Sequence, residues 1–156
     1  MAIMNIRKIG DPVLRSKAKE VEKISQKTID LIENMSNTMY EADGIGLAAP
    51  QVGVLQRLFI VDIGNGLIEV INPKIIEENG QTIMEEGCLS IPDETGAVVR
   101  AKEIVMEGYN KEGKKIKIEA DGLLARALQH EYDHLEGNLF TDRVIDEEKL
   151  EKEINE

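Results

Sequence analysis

A chain of 156 residues suits one domain built round a single core. Its net charge of -11 excludes a protein whose main task is to grip nucleic acid or an anionic membrane over a broad face, though not a local RNA contact. Only 3% of the residues are aromatic and none is Trp, so Ile, Leu, Val, Met and Ala must build the core, while a lone cysteine, Cys88, excludes an intrachain disulfide and fits a reducing compartment.

The opening MAIMNIRKIGDPVL has no long apolar stretch, and the longest apolar runs, such as LFIV at 58–61, are only a few residues. The expectation is a cytoplasmic protein with neither signal peptide nor membrane span. Ser25 predicts the cap of a helix running to about Asp43, with Ile29, Ile32, Met35 and Met39 at helical spacing and Gly44 to end it. GIGLAAPQVG, 44–53, predicts a loop or an extended, closely packed segment. From 57 to about 119 the chain breaks into RLFIVDI, LIEVINP, TIMEE, AVVRA, EIVMEGY and KKIKIEA, separated by turn residues, which predicts several largely antiparallel strands. Asp121 opens a second predicted helix, to roughly Glu136, with Leu124, Ala127, Leu128 and Leu135 as its apolar face and Gly137 as its stop. The segment 146–156, DEEKLEKEINE, predicts a short acidic helix or tail beyond a main domain at 1–145. Helix, strands, helix is the order of an α+β domain with a helix packed against sheet.

Both histidines of the chain lie in QHEYDH, 129–134. Residues four apart on a helix share a face, so His130 and His134 can present two imidazoles to one metal. Glu131 borders the same face and can work on water there without being a ligand. A catalytic metal ordinarily has three protein ligands and an open position. In one protease class a third His follows six residues after the second; that position here is Phe140, and no other histidine exists. The third ligand is therefore a Cys or a carboxylate. Cys88 lies in EEGCLSIPDE, flanked by Gly87 and Pro92, which predict an irregular backbone. Burial as a small inert side chain is the ordinary fate of a free Cys, but a thiolate is also a strong soft ligand for zinc or iron(II) and would complete a Cys, His, His set.

Three stretches together, GIGLAAPQ at 44–51, EGCLS at 86–90 and QHEYDH at 129–134, resemble the three motifs of the bacterial-type peptide deformylases, in order and at fitting spacing. HLEGNLFTDR, 134–143, and the region of Arg100 are also similar to that family, so the likeness covers nearly the whole chain. It implies the deformylase fold, with antiparallel sheets around a central metal-binding helix, and a catalytic domain over 1–145. It implies removal of the N-formyl group from the formylmethionine of nascent chains, releasing formate. Cys88, His130 and His134 would bind one divalent metal, iron(II) in the cell, with zinc, nickel or cobalt as substitutes. Glu131 would be the general base and then the acid, while the Gln51 side chain and the Leu89 backbone N–H would hold the formyl oxygen. Ile45 and Gly46 would offer backbone groups to an extended peptide, and Gly44 and Gly46 would let it come close. Leu128 and Ile45 are candidates to line the methionine pocket. Glu86 would fix the ligand loop or receive the substrate's first N–H, and Asp133 either lies on a solvated face or orients a ligand. The partners implied are formylmethionyl peptides and the ribosome, but six acidic residues and two lysines at 146–156 cannot dock on RNA by charge. The alternative is an HExxH metallopeptidase, which would take a carboxylate as third ligand and cut internal peptide bonds.

Overall fold

The structure is a computed structural model that describes residues 2–145; the expected helix or tail at 146–156 lies outside the described residues. The elements in chain order are α1 (Gln26–Glu41), β1 (Gly46–Ala48), β2 (Leu58–Val61), β3 (Ile68–Asn79), β4 (Thr82–Cys88), β5 (Ile91–Arg100), β6 (Glu103–Tyr109), β7 (Lys115–Asp121) and α2 (Gly122–Leu135), with short 3-10 turns at Pro12–Arg15, Ala49–Val52 and Phe140–Asp142. Five strands form one sheet in the order β1-β2-β3-β6-β7, and β4 and β5 form a separate two-stranded sheet. Every strand pair is antiparallel. This is the α+β architecture expected, with α2 packed on β1, β2, β6 and β7.

Ser25 caps α1 and donates its N–H to the Thr28 hydroxyl oxygen at 3.2 Å, closing the first turn. The other end differs from expectation. Asp43, not Gly44, takes the left-handed conformation (φ 57°), and Gly44 donates its N–H to Met39 at 2.9 Å. Gly44 is small for another reason, since a Cβ there would stand 2.6 Å from Leu89 Cδ1. At α2 the reading holds: Gly137 turns the chain at φ 80°, and Asn138 donates back to the Asp133 carbonyl at 2.9 Å.

Residues 82–100 form longer strands than their sequence suggests. Gly87 and Pro92 predict an irregular backbone between TIMEE and AVVRA, yet β4 and β5 continue through them, up to and away from a tight turn at Leu89–Ser90. A register shift between Glu86 and Cys88 supplies the irregularity that the flanking Gly and Pro imply. The hairpin is a free two-stranded sheet whose outer residues face solvent, which is where Pro and Gly are tolerated in strands.

The core has three parts. One, with Phe59, Val61, Val70, Met106, Leu128 and Leu135, lies between α2 and the large sheet. A second joins α1 to β1 and β2 through Met35, Met39, Leu47 and Ile60. The third, with Leu14, Ile91, Val98, Leu139 and Phe140, fastens the β4–β5 hairpin to the body. Helix α2 is therefore surrounded, and among its later residues only Tyr132 is half-exposed, with Arg57 over its ring.

Candidate active site

Three segments meet at one cleft of about 440 Å³: the strand β1 with the residues before it, the β4–β5 turn, and one face of α2. β1 is the edge of its sheet and pairs only with β2. Gly46, at its start, and Gly44 and Ile45, just before it, border the cleft. From α2 come Leu123, Arg126, Ala127, His130 and Glu131, at the three- and four-residue spacing of a helix face.

Cys88, His130 and His134 come together as expected, with one donor atom from each within 4.8 Å of the others. Cys88 Sγ lies 3.4 Å from His134 Nε2. His130 Nδ1 is taken by Glu86 Oε1 at 3.0 Å, which leaves Nε2 for a metal. The third donor is a thiolate-forming residue rather than the carboxylate that the peptidase alternative requires. Phe140, in the place of that class's third histidine, is buried and stacks on His130 with ring centroids 6.2 Å apart.

The surroundings of this donor set suit a cation. Burial opposes charge on His130, yet hydrogen bonds to Cys88 and Glu86 and the charge of Glu131 push its pKa up to about 10. The same negative groups that hold a proton there favour a metal in its place. His134 is held well below the usual histidine range, by burial first and then by the charges of His130 and Arg100, so its imidazole is a neutral donor.

Glu131 is buried beside the donors, and its Oε1 has no hydrogen-bond partner. Burial raises its carboxyl to about 7, with the positive His130 and Arg100 working in the other direction. Gly46 makes room for it. A Cβ on Gly46 would come within 2.9 Å of the Glu131 carboxyl carbon, and the backbone at Gly46 is not left-handed, so space and not conformation calls for glycine. Gly46→Ala is expected to lower kcat at least about tenfold by displacing that carboxylate, with metal content unchanged. Paired steady-state kinetics and metal analysis check this, and wild-type kcat in the variant would show that the carboxylate accommodates a methyl group.

Gln51 is almost wholly buried; its Oε1 accepts from the Ala48 N–H at 2.9 Å and its Nε2 lies 3.5 Å from Cys88 Sγ. Leu89 sits at the hairpin turn, and no described residue accepts from its N–H. One expected cleft contact is corrected, and of the two roles expected of Glu86 its partners favour the first, fixing the ligand loop. Leu128 is fully buried in the core between α2 and the sheet, because a residue two before His130 falls on the opposite side of the helix. Leu123, Ala127 and Met84 line the cleft with Ile45 instead. Glu86 is not free to receive a substrate N–H. Besides His130, its carboxylate takes Arg100 Nε at 2.8 Å and Arg100 Nη2 at 2.9 Å, and also Arg126 Nη1. Burial alone would raise its pKa, but the hydrogen bonds from Arg100 and His130 hold it far below the carboxylate range.

Arg126 is the residue that motif reading missed. It is buried, and its Nη1 and Nη2 also donate to the carbonyls of Val98 (3.1 Å) and Thr82 (3.0 Å), which pins the hairpin to α2. Its position four before His130 was the available signal. Asp133 resolves in favour of orientation: it takes Arg100 Nη1 at 2.7 Å and both Arg143 Nε and Nη2 at 2.6 and 3.0 Å. The line Arg143–Asp133–Arg100–Glu86–His130 thus runs from the surface to a metal donor.

Residues 3–150 match the family model described as polypeptide deformylase. The chain belongs to that family. It is 60% identical over 147 residues to the peptide deformylase of Halothermothrix orenii, covering 93% of this chain and 96% of that protein. Against the peptide deformylase of Clostridium botulinum it is 56% identical, covering 92% of this chain and 98% of that one. The crystal structure of peptide deformylase from Thermotoga maritima superposes with a TM-score of 0.92 at 46% identity, covering 94% of this chain and 100% of that one. The activity of the family is removal of the formyl group from an N-terminal formylmethionine, so the chain is a metal-dependent hydrolase with a Cys, His, His site.

Proposed function

We propose that Cys88, His130 and His134 hold one divalent metal, iron(II) in the cell, and that Glu131, Gln51 and Leu89 act with it on the formyl amide of a nascent peptide. The mixed thiolate and imidazole donors support iron(II), and zinc, nickel or cobalt can take the same set. Such a metal supplies Lewis acidity, lowering the pKa of water and polarising the formyl carbonyl. The carrying observation is Glu131 Oε1, buried, unpartnered and beside the three donors.

Each residue then has a task. Glu131 takes a proton from the attacking water as the new C–O bond forms. The Gln51 amide and the Leu89 N–H stabilise the charge that develops on the formyl oxygen. Glu131 returns the proton to the amine as the C–N bond breaks, giving formate and a free methionyl terminus. Ile45 and Gly46 bind the extended peptide along the open edge of β1, and the methionine side chain lies against Ile45, Met84, Leu123 and Ala127. Glu86 orients His130 and does not touch substrate. We place the enzyme in the cytoplasm; no described helix is long and apolar enough to cross a membrane. It meets nascent chains near the ribosome by diffusion, since a charge of -11 opposes a broad electrostatic hold on RNA.

Formate release from a formyl-Met tripeptide by anaerobically purified, metal-loaded protein tests the reading, with metal analysis alongside. Formate and an uncut tripeptide are expected, and internal cleavage without formate would overturn it. In the same experiment Cys88→Ser is expected to lose most of its metal, and full metal content would remove Cys88 from the donor set.

A further inference from the structure

A carboxamide that donates to a reacting oxygen must be kept from rotating, and two contacts do this for Gln51. Its Oε1 is fixed by the Ala48 N–H at 2.9 Å. Its Nε2 carries two hydrogens. One lies on the cleft side, where Cys88 Sγ is 3.5 Å away, and the other goes to Ser90 Oγ at 3.1 Å. Ser90 is fully buried and does not line the cleft, so its hydroxyl meets substrate only through Gln51.

The backbones carrying these two side chains are themselves tied together. Arg7 donates its N–H to the Gln51 carbonyl at 2.7 Å, and Ile9 donates its N–H to the Ser90 carbonyl at 2.8 Å. Between them Lys8 Nζ reaches the Leu89 carbonyl at 3.2 Å. Three consecutive residues therefore join the segment that carries Gln51 to the turn that carries Leu89 and Ser90.

We infer that Ser90 is a positioning residue for the hydrolysis: its hydroxyl occupies one Nε2 hydrogen of Gln51 and so turns the other onto the formyl oxygen, with Arg7–Ile9 holding the two backbones in register. This rests on the role given to Gln51 above. A second donor to that oxygen, the Leu89 N–H, lies one residue from Ser90 on the same turn, so both donors are set from one short segment. Loss of the hydroxyl leaves the amide nitrogen free to swing away from the site, while the Ala48 contact remains.

The test is a double-mutant cycle on the zinc-loaded enzyme, together with the side-chain amide resonances of Gln51. Ser90→Ala is expected to lower kcat about tenfold with KM nearly unchanged, as misdirection of one oxyanion donor requires. On a Gln51→Ala background the same change is expected to cost nothing further. In ¹⁵N-labelled protein the two Gln51 amide protons should be distinct and slow to exchange with solvent, and Ser90→Ala should speed that exchange. An equal loss on both backgrounds would overturn the inference, because Ser90 would then act independently of Gln51. Unchanged Gln51 amide exchange in Ser90→Ala would overturn it too. Full activity in Gln51→Ala alone would instead remove the oxyanion role of Gln51. The amide exchange would still decide whether Ser90 holds the carboxamide.

Discussion

Replacing Glu131 by glutamine lowers kcat by about 10³-fold and leaves the metal in place. General acid–base catalysis by one positioned side chain contributes roughly 10²- to 10⁴-fold, and Glu131 is asked to move the proton twice, from water and then to the amine. Its surroundings explain the expected size. The carboxyl is buried, has a free oxygen, and is raised to about 7 chiefly by that burial. A glutamine fills the space beside Gly46 but accepts no proton. Since Cys88, His130 and His134 form the donor set, metal content by elemental analysis should stay at the wild-type level. Loss of the metal together with the activity would instead mean that Glu131 supports the donors. Retention of activity would give the proton transfers to another group.

Replacing Glu86 by alanine destabilises the fold by about 3–5 kcal/mol, the cost of breaking a buried ion pair from one side. Arg100 and Arg126 are each no more than 5% exposed, and both would lose a carboxylate partner. Glu86→Gln, which keeps an acceptor oxygen, should lose less. Urea unfolding of the two variants measures the difference, and an alanine variant as stable as wild type would show that the two arginines find other partners. Metal affinity should fall in the same variants by roughly 10- to 100-fold, because His130 Nδ1 loses the group that orients it. The pH dependence has a definite sign. The native pKa of Glu86 is depressed below its usual 4.5, so its contribution is fully present above that value. It is lost only as the pH falls well below it, through the depressed native pKa.

What could be read from the sequence depended on whether a residue's role follows from local spacing. The metal donors were legible because His130 and His134 are four apart on a helix and only one cysteine exists to join them. The strands at 58–61, 103–109 and 115–121 and the first half of β3 were legible from β-branched runs between turn residues, while the continuation of β3 past Pro73 to Asn79 was not. The length of β4 and β5 was not, because a two-stranded hairpin with a solvent-facing side does not exclude Gly, Pro and Asp. Leu128 was misplaced although the same helical spacing that paired the histidines puts it on their far side. The links from Glu86 to Arg126 and from Gln51 to Ser90 span 40 and 39 positions, and no local pattern foretells them. Gly44 and Gly46 were tied to the close approach of a peptide, and the groups that the structure brings close to them are this chain's own Leu89 and Glu131.

The tie between Arg7–Ile9 and residues 51 and 90 bears on how the enzyme comes into being. During synthesis the amino end emerges first, yet its partners Gln51 and Ser90 follow tens of residues later. Two of the three metal donors are translated later still, on α2, and that helix also covers one face of the large sheet. A chain stopped before α2 therefore lacks both the imidazoles and the layer that would hold β1 in place. A newly made molecule is therefore inert until α2 has been made and docked on the sheet.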